Sequence, residues 1–249
     1  MLAILGGSGL SRLPGLERMR SKTASTGYGE PSGPLTFGRI GGREIIFLAR
    51  HGDAHSIPPH RVNYRANIQA LKDAGAKRIA AVATVGGIRR DFGPGMLVVP
   101  DQIIDYTWGR ASTFFEGAGA KVTHIDFTEP YAAALRKDIL AAAMACGETI
   151  ADGGCYGATQ GPRLETAAEI ARMERDGADL VGMTGMPEAA LAREAGLEYA
   201  AINVVANHAA GKGESAHAIS LAAIEAVVEQ AMQRVHRILE QLAAASSTS

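Results

Sequence analysis

Five short apolar runs in this chain break off abruptly on glycine, arginine, threonine or asparagine, and helix-patterned stretches separate most of them. "LAIL" stops at Gly6, "REIIFLA" at Arg50, "RIAAVATV" at Gly86, "DLVGM" at Thr184 and "YAAINVVA" at Asn207. "VNYRANIQALKDAG", from Val62, carries apolar residues at helical spacing and ends on Gly75. "EPYAAALRKDILAAAMACG" is expected to place Pro130 in a first helical turn and to stop on Gly147; Pro187 and Gly196 bracket a further helix in the same way. "ETAAEIARMERDGADLVGM" reads as helix, turn and short strand. A closing amphipathic helix aligns Leu221, Ile224, Val228, Val235, Ile238 and Leu242 on one face. Strands that alternate with helices give a largely parallel or mixed sheet covered on both faces. The expected fold class is therefore α/β: one domain over residues 1–249, a twisted mixed sheet flanked by helices, with the tail from about 243 to 249 lacking fixed structure.

Composition narrows the function. A net charge of −1 argues against nucleic acid or a membrane surface as partner. The apolar runs are strand-sized, too short to cross a membrane, and "MLAILGGSGL" lacks the basic start of a signal peptide. Two cysteines, Cys146 and Cys155, form neither a disulfide framework nor a metal cluster. The expectation is a cytoplasmic protein.

In sheets of this kind ligands sit beyond the carboxyl ends of the strands. Those ends carry Ser8, Arg50, His51, Thr84, Thr184 and Asn207. "ILGGSGL" fits neither the dinucleotide G-x-G-x-x-G nor the P-loop pattern; it either presents backbone N–H groups to an anion or is a plain tight turn. Arg50 has the geometry for a bidentate grip on phosphate, and Ser8, Thr84 and Thr184 add hydroxyls. Together they read as a cradle for a free oxyanion. His51, His55 and His60 could suggest a metal, but "SIPP" separates the last two and a zinc site needs three or four ligands. No G-x-S-x-G elbow is present, so a nucleophile would arrive with the substrate. Glu165 and Thr166 open a helix, where a carboxylate either answers the helix dipole or faces a ligand. Asn207 closes a strand, as asparagines in turns do, yet its amide both donates and accepts.

"AILGGSGL", "LARHG…VNYRANIQAL", "GPRLET", "GADLVGMTGMPE" and "AREAGLEYA", in this order, resemble the trimeric purine nucleoside phosphorylase family, which includes the methylthioadenosine phosphorylases. The resemblance runs over nearly the whole chain. It implies a nucleoside phosphorylase fold, a homotrimer, no metal or organic cofactor, and inorganic phosphate as co-substrate. It matches Ser8, Arg50, His51, Thr84 and Thr184 to the phosphate site, and Val85, Gly86 and Met183 to the surroundings of sugar and base. Leu164, Glu165 and Asn207 match base-site positions, although Leu164 stands where relatives place a stacking Phe. His124 matches a position that reaches the neighbouring subunit's active site.

Adenosine-type members carry two aspartates where this chain has Asn207 and Ala209. A 6-oxopurine presents an acceptor at C6, which repels a carboxylate, whereas an amide accepts from N7–H and donates to O6. Glu165 matches the 6-oxopurine members, in which a carboxylate accepts from N1–H. At the sugar's 5′ end, Leu221 falls where inosine-cleaving members place a His, with Ile224 one turn later, and His55 matches a methylthio-type position. An apolar wall there favours a methylthio group over a hydroxyl, unless both residues are simply core. The combined expectation is phosphorolysis of 5′-methylthioinosine, with Asn207 stabilising the departing base and His51 orienting phosphate. The alternatives are general inosine/guanosine phosphorolysis, methylthioadenosine phosphorolysis, and ligand binding without turnover.

Overall fold

The computed structural model describes residues 1–10, 13–117 and 119–245. In chain order the strands are β1 (Leu2–Gly6), β2 (Glu17–Lys22), β3 (Leu35–Ile40), β4 (Arg43–Ala49), β5 (Arg78–Gly87), β6 (Leu97–Val99), β7 (Gln102–Asp105), β8 (Ala151–Asp152), β9 (Cys155–Ala158), β10 (Leu180–Gly182) and β11 (Glu198–His208). The helices are α1 (Tyr64–Asp73), α2 (Ala133–Ala145), α3 (Ala167–Asp176), α4 (Gly185–Glu194) and α5 (Leu221–Ala245). All the strands join one mixed sheet, ordered β2-β3-β4-β1-β5-β10-β9-β7, with β11 pairing both β5 and β6 and β8 pairing β6.

Helices cover both faces of the sheet. On one, α2 and α5 bury Leu135, Ile139, Val235, Ile238 and Leu242 against Ile4, Val82, Ile202 and Val204. On the other, Ile68 and Leu71 of α1 and Ala189, Leu191 and Ala192 of α4 pack on Leu5, Ile46, Leu48 and Tyr199. The strand alternation that the sequence shows as apolar on both sides is thus used on both sides.

Helix ends follow local chemistry. Asn63 caps α1 by accepting from the Ala66 N–H. Thr166 and Glu169 form a reciprocal capping box on α3, and Gly177 closes it in the left-handed region. Two boundaries differ from expectation. Pro130 lies ahead of α2, whose N-cap is Ala132, and α5 runs through Ala245, so the tail begins later than 243; residues 246–249 lie outside the described residues. Strands β2, β3, β6, β7, β8 and β9 are additional to those expected from the sequence.

The central strand β5 explains where a site can form. Its first residues, Arg78–Ala81, pair with β1, whereas on that edge its last two, Gly86 and Gly87, pair with β10. Between them the edge of β5 is open at residues 82–85, opposite the ends of β1 and β4. On the other edge β11 follows β5 until a bulge, where Val205 pairs with Val85 but Asn207 pairs with Gly86. The extra residue breaks the in–out alternation immediately before Asn207 and re-aims its side chain.

Candidate active site

The strand ends enclose a cavity of about 520 Å³ lined by Ser8, Arg50, His51, Thr84 and Thr184 at one pole. Gly7 permits the close approach there: a Cβ on it would lie 2.5 Å from the Val82 carbonyl oxygen and 2.7 Å from Arg50 Nη1. The Arg50 guanidinium fills the open edge between β1 and β5, donating from Nη1 to the Val82 carbonyl at 2.9 Å and from Nη2 to that of Leu5 at 3.5 Å.

The structure corrects one expectation at Arg50. Its bidentate grip is spent on Glu188, in the first turn of α4: Nε donates to Oε2 at 2.6 Å and Nη2 to Oε1 at 2.7 Å. Tyr199 Oη also donates to Glu188 Oε1, at 2.7 Å. Arg50 and Glu188 are 1% and 0% exposed. Burial works against the Arg50 charge, but the Glu188 carboxylate outweighs it and holds the guanidinium more firmly protonated than usual. Four of the five guanidinium N–H groups are thereby committed, leaving one on Nη1 beside Gly7.

His51 is neutral. Burial, with the nearby Arg50 charge, lowers its pKa from 6.5 to about 4. Its Nδ1 lies 2.8 Å from the Ile57 carbonyl, so this nitrogen carries the proton and Nε2 keeps its lone pair. Ser8 Oγ lies 3.3 Å from His55 Nε2, and the His51 and His55 rings sit 4.7 Å apart. Among the described residues no group of three or more His, Cys, Asp or Glu side chains could hold a metal ion. At the far side, Tyr156 Oη accepts from the Thr184 N–H at 3.2 Å, which fixes that residue from below. The pole therefore offers hydroxyls and one N–H to an oxyanion, with no uncompensated cation.

The opposite wall carries Val85, Gly86, Leu164, Glu165, Met183, Asn207 and Ala209. Thr159 Oγ1 donates to Glu165 Oε1 at 2.6 Å, leaving Oε2 for a ligand. Asn207 Nδ2 donates to the His208 carbonyl at 2.6 Å, so one N–H and the amide oxygen stay open. Gly161 has φ of +60°, and a Cβ there would lie 2.5 Å from Met183 Sδ; only glycine lets the loop before Pro162 lie against Met183.

The third part of the cavity differs from expectation. Ile224 lines it, but Leu221 does not: it points outward and is 67% exposed. Ile219, two residues before α5, takes its place in the lining. Val228, one turn beyond Ile224, would meet a Cβ on Gly9 at 2.5 Å, so the start of α5 lies over the 6–10 loop. His55 is at the cavity rim, whereas His124 is exposed and away from the cavity of its own chain. Sequence reasoning missed Glu188, Tyr199, Tyr156, Thr159 and Ile219. The lone Glu188 inside the apolar "GMPEAALA" was the available signal, since an unpaired carboxylate is rarely buried.

Strand ends and the entry to α3 thus gather three hydroxyls, an amide and a carboxylate around one cavity. The chain belongs to the phosphorylase superfamily, whose family model matches residues 1–244. It is 56% identical over 242 residues to the probable S-methyl-5′-thioinosine phosphorylase of Xanthomonas campestris, spanning 97% of this chain and 96% of that one. It is 47% identical to the 6-oxopurine nucleoside phosphorylase of Pyrococcus furiosus, over 84% of this chain and 80% of that relative. The methylthioadenosine phosphorylase from Schistosoma mansoni, solved with adenine, superposes with a TM-score of 0.93 at 32% identity, covering 98% of this chain and 90% of that one.

Proposed function

We propose that this chain phosphorolyses S-methyl-5′-thioinosine to hypoxanthine and 5-methylthioribose 1-phosphate, with inorganic phosphate as co-substrate and neither metal nor organic cofactor. One observation carries the reading: a single cavity joins an amide and a carboxylate, Asn207 and Glu165, to an isoleucine pair, Ile219 and Ile224.

In the proposed reaction phosphate sits among Ser8, Thr84, Thr184 and the remaining Arg50 N–H. His51 accepts the phosphate O–H at Nε2. The C1′–N9 bond breaks with its electron pair going to the purine, and a phosphate oxygen bonds to C1′. The proton that the released base gains balances the one phosphate loses. Because Glu188 already answers the Arg50 charge, the phosphate keeps its negative field for the cationic sugar in the transition state. Asn207 accepts from N7–H and donates to O6, and Glu165 accepts from N1–H. The isoleucines bury a methylthio group at the 5′ position, where an unpartnered hydroxyl would cost roughly 1–3 kcal/mol.

The Pyrococcus furiosus relative favours a second reading, a general 6-oxopurine nucleoside phosphorylase. Base release from methylthioinosine, inosine, guanosine and methylthioadenosine, each with and without phosphate, separates the readings. Methylthioinosine turnover well above the others supports the first proposal; equal cleavage of inosine supports the second. Preferred methylthioadenosine cleavage overturns the base-site argument, and no phosphate-dependent turnover overturns catalysis. We further propose a cytoplasmic homotrimer in which His124 completes a neighbour's site. A mass of three chains in solution, with a higher nucleoside KM in His124→Ala, tests the assembly.

A further inference from the structure

Arg110 lies in the long segment between β7 and α2, outside the cavity, yet its guanidinium touches two of the segments that build the cavity wall and the start of α1. Nη1 donates to the carbonyls of Met183 at 2.8 Å and Met186 at 2.6 Å, and lies 3.2 Å from Tyr64 Oη at the start of α1. Nη2 donates to the carbonyls of Thr159 at 3.1 Å and Gln160 at 2.8 Å, and Nε to Gln160 Oε1 at 3.2 Å. No carboxylate is among these partners. The half-buried cation is held by neutral groups, these dipoles and the Tyr64 ring 5.4 Å away, so its role is not that of a simple ion pair.

The segments joined are the ones that must keep register for two-ended recognition. Thr159 holds Glu165 on the base side, and Met183 directly precedes Thr184 on the phosphate side. We propose that Arg110 is a positioning residue that sets the distance between the base-reading carboxylate and the phosphate-holding threonine. A guanidinium suits this because its planar fork reaches separate carbonyls in fixed directions; a lysine presents all its donors from one atom. The inference deepens the proposed reaction by naming what aligns its two substrates, and it rests on that reading only for the identity of the nucleoside.

The test compares wild type with Arg110→Lys and Arg110→Ala on the nucleoside that the wild type cleaves best. Melting temperature, kcat, and separate KM values for nucleoside and phosphate are measured. The expected result is a folded Arg110→Lys with kcat/KM for nucleoside down roughly 10- to 100-fold, as ångström-scale misplacement of substrates produces. Its phosphate KM should rise less than its nucleoside KM, because Arg110 reaches Thr184 only through the neighbouring Met183 carbonyl. The preference for a 6-oxopurine over a 6-aminopurine should narrow as Glu165 loses its fixed seat. Added guanidinium or methylguanidinium should restore part of the Arg110→Ala activity. Unchanged nucleoside kcat/KM and base preference in Arg110→Lys overturns the proposal. So does a uniform loss, with lowered melting temperature, both KM values raised alike and no rescue by guanidinium. A wild type that prefers another nucleoside refutes the substrate assignment without touching the Arg110 result, which is read on that nucleoside instead.

Discussion

The two poles of the cavity are built in opposite ways. At the pole proposed for phosphate, groups from β1, β4, β5 and α4 meet over the open edge of β5, and Arg50 and Tyr199 both bond to Glu188 in the buried interior. At the pole proposed for the 5′ end of the sugar, Ile219 and Ile224 come from the entry to one helix and are only partly buried. The first pole is fixed by hydrogen bonds whose loss leaves a buried charge unpaired. The second is fixed by apolar contact alone, which is tolerant of geometry and of replacement. In the proposed reaction the co-substrate common to every turnover binds at the rigid pole and the nucleoside is selected at the tolerant one, a division that would let specificity change without disturbing the chemistry.

The strongest way to break this contrast is Glu188→Gln. Leaving Arg50 without its counter-charge should cost about 3–5 kcal/mol of stability, read from chemical denaturation. Survivors should bind phosphate with altered affinity. A variant as stable as wild type would mean that the phosphate pole is not the rigid one.

Asn207→Asp comes next. A carboxylate facing O6 should lower methylthioinosine kcat/KM on the order of 10²- to 10⁴-fold while sparing 6-aminopurine substrates, measured as a ratio of specificity constants. An unchanged ratio would remove Asn207 from base recognition. Polar replacement at the tolerant pole should be milder: Ile219→Ser should shift preference from methylthio toward hydroxyl nucleosides by roughly tenfold, with little change in melting temperature. A shift as large as that of Asn207→Asp would make the two ends equal partners in selectivity.

His51 sharpens the comparison through pH. Its folded-state pKa, about 4, lies below the ordinary 6.5, so on acidification the unfolded chain takes the proton first. Its contribution to stability is complete above pH 6.5 and is lost as the pH falls toward 4. Melting temperature against pH should show that slope in wild type and a smaller one in His51→Gln. The smallest effect belongs to Leu221→Ser, which should change stability by less than about 0.5 kcal/mol and leave substrate preference alone, because the side chain faces solvent.

How far the sequence could be read depends on which force places each residue. The strands β1, β4, β5 and β11 and the helices α1, α3 and α4 were legible because apolar periodicity and caps such as Asn63 and Gly177 act over a few residues. Short strands such as β6 and β8, with three and two residues, were not, because so brief a pattern specifies nothing until a neighbour pairs with it. In the site, Ser8, Arg50, His51, Thr84, Thr184 and Asn207 were legible as polar residues at strand ends and Glu165 as a carboxylate opening a helix, and all line one cavity.

By itself the sequence determined an α/β chain with its polar groups at the carboxyl ends of the strands. Only the tertiary structure decided how those groups are spent. Arg50 gives its fork to Glu188, 138 residues away, because the gap between β1 and β10 along β5 buries both. Asn207 turns toward the cavity because a bulge in β11 shifts its register. Ile219 replaces Leu221 because helical periodicity cannot register a residue that precedes the helix. Periodicity is a local property, whereas pairing across a sheet and the rotation of a helix about its axis are settled by contacts between segments distant along the chain.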